Sequence, residues 1–138
     1  MVNGPGESRT QPATASLKLA PRADAAGIAR RFVHDNRDHL DPDIVANAEL
    51  LVSEIVTNAL RYGAGEIALT VRVDPPGIGV AVTDTGHGMP VVRAELPADD
   101  EGSGRGLFIV DAIASQWGVD PSWPPPGKTV WFDVRPHP

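Results

Sequence analysis

Hydrophobic residues in the middle of the chain recur at every second position and predict two neighbouring strands. In residues 67–73 the odd-numbered positions are apolar, and in residues 78–84 the even-numbered positions are apolar until the row ends at Asp84. Proline and glycine at 74–77 predict a turn that joins the two strands as a hairpin. Asp84 should therefore point inward, where its carboxylate needs a hydrogen-bond donor because an unpaired buried charge is costly.

The same alternation predicts two further strands. A short first strand covers residues 15–19 and ends before Pro21, and a last strand covers residues 127–134. In the last strand Val130 and Phe132 share one face, whereas Thr129 and Trp131 share the other. The segment 116–126 between them shows no pattern that predicts a regular element.

Apolar residues at helical spacing predict three helices, over residues 23–40, 42–62 and 105–115. The second begins at Asp41-Pro42, a capping side chain followed by a proline at the first helical position, and ends at Gly63 or Gly65. Three helices and four or five strands, mostly joined as hairpins, predict an α+β two-layer sandwich. We expect a mixed, mostly antiparallel sheet of four to five strands covered on one face by three helices.

Composition limits the chain to one domain. The sequence has 138 residues, no cysteine and a net charge of -6. We expect a disordered tail at 1–13, rich in small and polar residues, and a single domain at 14–135. The acidic balance argues against a broad nucleic-acid interface. No apolar run approaches the ~20 residues of a membrane span, and no signal-peptide pattern opens the chain, so we expect a cytoplasmic protein.

Two glycine clusters flank a polar stretch at 89–101 and suggest a nucleotide site. Gly86 and Gly88 follow Asp84 and would let the backbone approach a ligand closely. The second cluster consists of Gly102, Gly104 and Gly106. It leads directly into an apolar-periodic segment, so its free N–H groups would sit at a helix start that favours phosphate. An adenine amine would be a suitable donor for Asp84. Each cluster alone is equally compatible with a turn or a flexible loop.

Polar residues one turn apart interrupt the apolar second helix. Glu54 and Asn58 offer a carboxylate and an amide oxygen to the same small volume. Such hard oxygen ligands suit Mg²⁺, which takes few protein ligands beside substrate phosphates. The glutamate could deprotonate an attacking hydroxyl or water. For a lone pair the alternative, two solvated side chains on a helix surface, would be favoured.

Taken together, three ordered motifs resemble the GHKL ATPase superfamily, whose nucleotide fold is the Bergerat fold. The motifs are Glu54-x-x-x-Asn58, Asp84-x-Gly86-x-Gly88 and Gly102-x-Gly104-x-Gly106-Leu107. The resemblance covers roughly residues 17–134. It is greatest for the small single-domain branch of anti-sigma-factor serine/threonine kinases and related bacterial ATP-binding regulators.

The resemblance implies a role for each motif. Asn58 would coordinate Mg²⁺, Glu54 would be the general base and Asp84 would bind the adenine amine of ATP. Thr129 matches the hydroxyl that helps the aspartate read adenine, and residues 89–101 would form a lid. The glycines of the second cluster would hold the phosphates, and the remaining motif residues, Gly86, Gly88 and Leu107, would complete the site. Arg105 would contact the γ-phosphate or a partner, or be a solvated loop residue.

The resemblance also implies a function, with two alternatives. The leading interpretation is a Mg-ATP-dependent kinase that phosphorylates a serine or threonine of an anti-anti-sigma-like partner. One alternative is a non-catalytic module that uses ATP to sequester a sigma factor or another regulator, and the other is a histidine-kinase catalytic domain acting in trans. The partner would be a protein, with no nucleic acid or membrane involved, and a homodimer is compatible with the family.

Some features resemble other sites and are interpreted as structural. The segment 126–129 looks like part of a P-loop, but Ser122 stands where a glycine is required and a strand follows. Lys128 is therefore expected to be a surface residue at a strand start. His34 is expected to lie on a solvated helix face, and His87 to be a turn residue. The three tryptophans are expected to be core or partner-surface residues.

Overall fold

A five-stranded sheet with helices on one face forms the domain. The computed structural model describes residues 12–62, 64–86 and 109–137. The strands are β1 (Ala13–Leu19), β2 (Ile67–Asp74), β3 (Gly77–Asp84), β4 (Gln116–Pro121) and β5 (Lys128–Val134). The helices are α1 (Ala25–Asp35) and α2 (Pro42–Tyr62), and residues 109–113 are also helical. The architecture confirms the predicted α+β class.

The strand order is β1-β2-β3-β5-β4, and all the strand pairs are antiparallel. The β2–β3 hairpin turns at 75–76 as predicted, and its register pairs Val71 with Val80. The even-numbered residues of β3 are buried down to Asp84, so the predicted inward face is confirmed. Strand β3 is thus the middle of the sheet, and its end at Asp84 is paired with the start of its neighbour β5.

Helix α1 is shorter than the prediction of residues 23–40. It begins at Ala25 and ends at Asp35, where the Asn36 side chain donates a hydrogen bond to the Phe32 carbonyl at 2.8 Å. His39 has a φ of 67°, which a right-handed helix cannot contain. The apolar spacing that predicted a longer helix continues only as far as Val33, and the residues after it form a turn.

Strand β4 was not predicted, because its residues alternate weakly. Among the described strands it lies at the edge of the sheet, with β5 as its one neighbour, and it is half-buried at its centre. The predicted helix at 105–115 is described only from residue 109, and its predicted end is wrong. Ser115 already donates its N–H to the Asp133 carbonyl at 2.8 Å, which brings the chain back to the sheet.

The core lies between the sheet and the helices. Its largest fully buried side chains come from both layers, among them Phe132, Leu51, Ile55 and Leu69. Helix α2 packs on β3 and β5, and α1 packs on α2 and β1. In the part of the chain that the structure describes, no helix combines the length and the apolar character that crossing a membrane requires.

Candidate functional site

Asp84 ends the central strand β3 inside the domain, with 2% of its surface exposed. The strand register places Lys128 of β5 directly opposite it. Lys128 Nζ donates to both carboxylate oxygens, at 2.9 Å to Oδ2 and 3.1 Å to Oδ1. The Gly86 N–H also donates to Oδ1, at 2.7 Å. The expected inward carboxylate is therefore present, and its donors in the structure are a lysine and a backbone amide.

The position of Lys128 corrects the sequence-based expectation of a surface residue. Only 3% of Lys128 is exposed. Lys128, Val130 and Phe132 are alternate residues of β5 and therefore lie on the same face of the strand. The Lys128 side chain thus points to the helix layer. A buried ammonium is tolerated there because the Asp84 carboxylate is in direct contact with it. Lys128 is the site residue that the motifs did not reveal.

A close backbone approach holds β3 and β5 together at this end. Gly127 has a φ of 128°, and a Cβ atom there would lie 2.7 Å from the carbonyl oxygen of Asp84. The Gly127 carbonyl also accepts the Ser122 N–H at 2.9 Å, which closes the β4–β5 loop. A residue without a side chain is required at this contact. The contact fixes the start of β5, and with it Lys128, against Asp84.

The end of α2 is tied to the same place. Thr85 donates its N–H and its Oγ1 to the Ala64 carbonyl, at 3.1 Å and 2.9 Å. Gly65 has a φ of 72°, and a Cβ atom there would meet Thr85 Oγ1 at 2.6 Å. These contacts bring the last turns of α2 beside the end of β3, and so set Asn58 near Asp84.

Asn58 is buried on α2 and carries an unsatisfied oxygen. Only 7% of the residue is exposed, and no described residue donates a hydrogen bond to its Oδ1. A buried oxygen without a hydrogen-bond donor costs free energy, and in proteins such an atom is often found to contact a ligand, an ion or a water. Glu54, one turn earlier, is half-buried. The amide oxygen and the nearby carboxylate are of the type that Mg²⁺ takes when phosphates supply further ligands.

One cavity joins the helix and the sheet at this point. Its lining consists of Ile55, Asn58, Ala59, Val82, Asp84, Lys128 and Val130. The cavity has a volume of about 10 Å³, which is room for roughly one water molecule. Its walls are apolar apart from Asn58 and the Asp84–Lys128 pair. Two of the predicted site residues, one from α2 and one from β3, therefore share a cavity.

Thr129 does not share this cavity. It lies on the other face of the sheet, where its hydroxyl is 2.6 Å from that of Thr83. The neighbour of Asp84 on β5 is thus Lys128 and not the threonine that the resemblance suggested. The other predicted site residues, Gly88, Gly102, Gly104, Arg105, Gly106 and Leu107, lie outside the described residues, as do His87 and the predicted lid.

Comparison with known proteins agrees with this architecture. The protein-family model of the histidine kinase-like ATPase domain matches the sequence over residues 19–133, which is most of the chain. The chain belongs to this family. Membership confirms the resemblance drawn from the three motifs and implies binding of ATP. Its region of similarity contains both halves of the cavity, Asn58 on α2 and Asp84 on β3.

Individual proteins of known sequence or structure are also similar to the chain. The chain is 31% identical over 106 residues to the "Sensor histidine kinase component HK1" of Mycobacterium tuberculosis H37Rv, which covers 70% of this chain and 61% of that protein. The chain therefore spans less than two thirds of this relative. A crystal structure of the RsbU and RsbW domains of Rv1364c from Mycobacterium tuberculosis has a TM-score of 0.66 at 18% identity. It covers 89% of this chain and 32% of that chain, and the likeness shows a common fold.

Proposed function

We propose that this histidine kinase-like ATPase domain binds Mg-ATP and phosphorylates a serine or threonine of a regulatory protein partner. The partner would be an anti-anti-sigma-like protein. The observation that carries the proposal is the cavity between α2 and β3, which brings together the Asp84 carboxylate and Asn58 Oδ1, an oxygen to which no described residue donates. One group can accept from the amine of a base, and the other can ligate a cation beside its phosphates.

Different residues would contact different parts of Mg-ATP. Asp84 would accept a hydrogen bond from the adenine amine, and the apolar side chains of Ile55 and Val82 would contact the base. Asn58 would hold Mg²⁺, which supplies charge neutralisation for the phosphates when bound. The motif glycines, including Gly88 and the second cluster at 102–106, would hold the phosphates together with Arg105 and Leu107.

Glu54 would perform the proton transfer. It lies on the same helix as Asn58, one turn closer to the amino terminus, and its half-buried carboxylate remains accessible to a second molecule. In this role it takes the proton of the partner hydroxyl as the oxygen attacks the γ-phosphorus, and ADP leaves. A module that only binds ATP does not require a base at this position.

Calorimetric titration with ATP, with and without Mg²⁺, tests the site. Wild-type protein should bind, Asp84→Ala should lose binding because it removes the acceptor for the base amine, and Asn58→Ala should lose only the Mg²⁺ dependence. Asn47→Ala is the matched control, since Asn47 lies on the same helix and lines a different pocket. Absence of adenine-nucleotide binding by the wild type and every variant would refute the proposal.

The names of the relatives favour a second candidate, a histidine-kinase catalytic domain acting in trans. The chemical stability of the phosphorylated partner separates the two. A phosphoserine or phosphothreonine survives acid, whereas a phosphohistidine is lost. A partner that binds in the presence of ATP and is never phosphorylated would support a third hypothesis. In this hypothesis the chain is a non-catalytic module that sequesters a sigma factor or another regulator.

A further inference from the structure

The pair of Lys128 and Asp84 stands where the base of the nucleotide would bind. Both oxygens of the carboxylate are in contact with the ammonium, and the lysine side chain is 4% exposed. We propose that Lys128 is a latch on the nucleotide site, so that base binding and opening of the Lys128–Asp84 pair are one event. This inference rests on the proposed function, because it concerns how the same site admits its nucleotide.

The Lys128 side chain and the nucleotide base cannot occupy the cavity beside Asp84 at the same time. The limit is set by space more than by the hydrogen-bonding capacity of the carboxylate. A carboxylate has about four lone-pair positions, so Asp84 could accept another donor beside Lys128 and Gly86. The cavity that the described residues form around it measures only about 10 Å³ with the lysine side chain inside. Small-molecule pockets measure roughly 300–1,000 Å³. A purine therefore cannot lie against Asp84 until the lysine side chain has left.

The position of Lys128 in the chain allows it to leave. It is the first residue of β5, next to the β4–β5 loop, and the loop residues Trp123 to Pro126 are exposed. A four-carbon stem can carry the ammonium out to water while the backbone of β5 stays in place. Asp84 would keep the hydrogen bond from the Gly86 N–H, and the base amine would replace the ammonium.

A latch lowers the apparent affinity for nucleotide by the fraction of molecules that are open. If fewer than about one molecule in ten is open, the apparent Kd rises at least ~10-fold above its intrinsic value. Removing the lysine side chain should therefore strengthen binding, although among the described residues lysine is the only side chain that neutralises Asp84. A lysine that instead contacts the base would have the opposite effect when removed.

The chain offers a direct test because it contains only two lysines, Lys18 and Lys128. Lys18 is on the edge strand β1 with 76% of its side chain exposed, so it serves as an internal control. Acetylation of the wild type by an amine-reactive reagent, quantified for each lysine by mass spectrometry, should label Lys18 rapidly and Lys128 slowly. Saturating ADP should accelerate labelling of Lys128 about 10-fold and leave Lys18 unchanged. Unchanged protection of Lys128 with ADP bound would overturn the latch alone.

Calorimetry on Lys128→Thr is the second measurement. We expect Lys128→Thr to bind ADP about 10-fold more tightly than the wild type, and Lys18→Thr to bind it as the wild type does. If wild-type binding is too weak to detect, measurable binding of ADP by Lys128→Thr also supports the latch. Equal or weaker binding by Lys128→Thr than by a wild type that binds would overturn the latch while the proposed function stands. If neither protein binds adenine nucleotides, both proposals fail. The labelling experiment needs no variant, so it remains decisive even if Lys128→Thr does not fold.

Discussion

Glu54 and Asn58 lie one turn apart on α2 but in different surroundings. Asn58 is buried and its oxygen has no donor within the described part of the chain, whereas Glu54 is half-buried. A group that holds a cation can be enclosed, but a group that takes a proton from a protein partner must be reached by that partner. The difference in burial therefore suits the two proposed roles, and it allows binding and catalysis to be separated by substitution.

We predict that Glu54→Gln leaves ATP affinity unchanged and slows phosphoryl transfer to the partner about 10²–10⁴-fold, since the amide cannot accept the proton. Single-turnover transfer from γ-labelled ATP to the partner measures the rate. Glu49→Gln is the control on the same helix, because the Glu49 carboxylate pairs with His34 at 2.9 Å and lines a different pocket. Equal rates for Glu54→Gln and the wild type would assign Glu54 a structural role.

At the scale of the elements, the site depends on how closely the ends of β3 and β5 approach each other. The contact of Gly127 with the Asp84 carbonyl fixes the start of β5, from which Lys128 reaches the carboxylate. A side chain at 127 would have to displace either this backbone or Ser122, whose Oγ would be 3.0 Å from the added Cβ. The close approach of β3 and β5 therefore leaves no room for a side chain at position 127.

We predict that Gly127→Ala destabilises the fold by about 1–3 kcal/mol, because it combines a positive φ with a backbone clash. The free energy of unfolding in urea measures the effect. Gly27→Ala is a control of opposite sign. Gly27 lies in α1, where the nearest atom to an added Cβ is a flexible arginine tip at 3.5 Å, so alanine should stabilise by about 0.5–1 kcal/mol. Similar values for both variants would contradict the role assigned to Gly127.

Alternation along a strand predicts which face a residue occupies, but not which strand lies beside it. The period of two placed Asp84 inward, and the same alternation, extended two residues back from Val130, would have placed Lys128 inward as well. That Lys128 and Asp84 meet follows only from the β3–β5 pairing, which no local pattern encodes. Thr129 was assigned to the site by the family resemblance alone, and the alternation that buries Lys128 puts Thr129 on the opposite face of the sheet. Edge strand β4 was missed because it has one strand neighbour and little burial to impose alternation.

For the whole molecule, α2 is the element that joins the core to the site. Its inner face contributes Leu51 and Ile55 to the core, and its last turns carry Asn58 to the cavity. Surface contacts between the helices, such as the His34–Glu49 pair, are partly exposed and worth roughly 0–1 kcal/mol. The position of α2 on the sheet is therefore set mainly by apolar burial.

Two adjacent leucines of α2 test this conclusion. Leu51 is completely buried in the core, whereas Leu50 is 41% exposed. We predict that Leu51→Ala lowers the free energy of unfolding by about 2–5 kcal/mol, because it loses buried apolar area and leaves a cavity. Leu50→Ala should change it by no more than about 0.5 kcal/mol, as is usual for surface substitutions.

Denaturant unfolding followed by circular dichroism gives both values. If the two substitutions cost the same, α2 would be held by something other than its inner face. Because α2 also carries Asn58, the Leu51 cavity should loosen the helix over the site and weaken ATP binding, while Leu50→Ala leaves binding intact. A destabilised Leu51→Ala protein that binds ATP as tightly as the wild type would show that the site does not depend on how firmly α2 is packed.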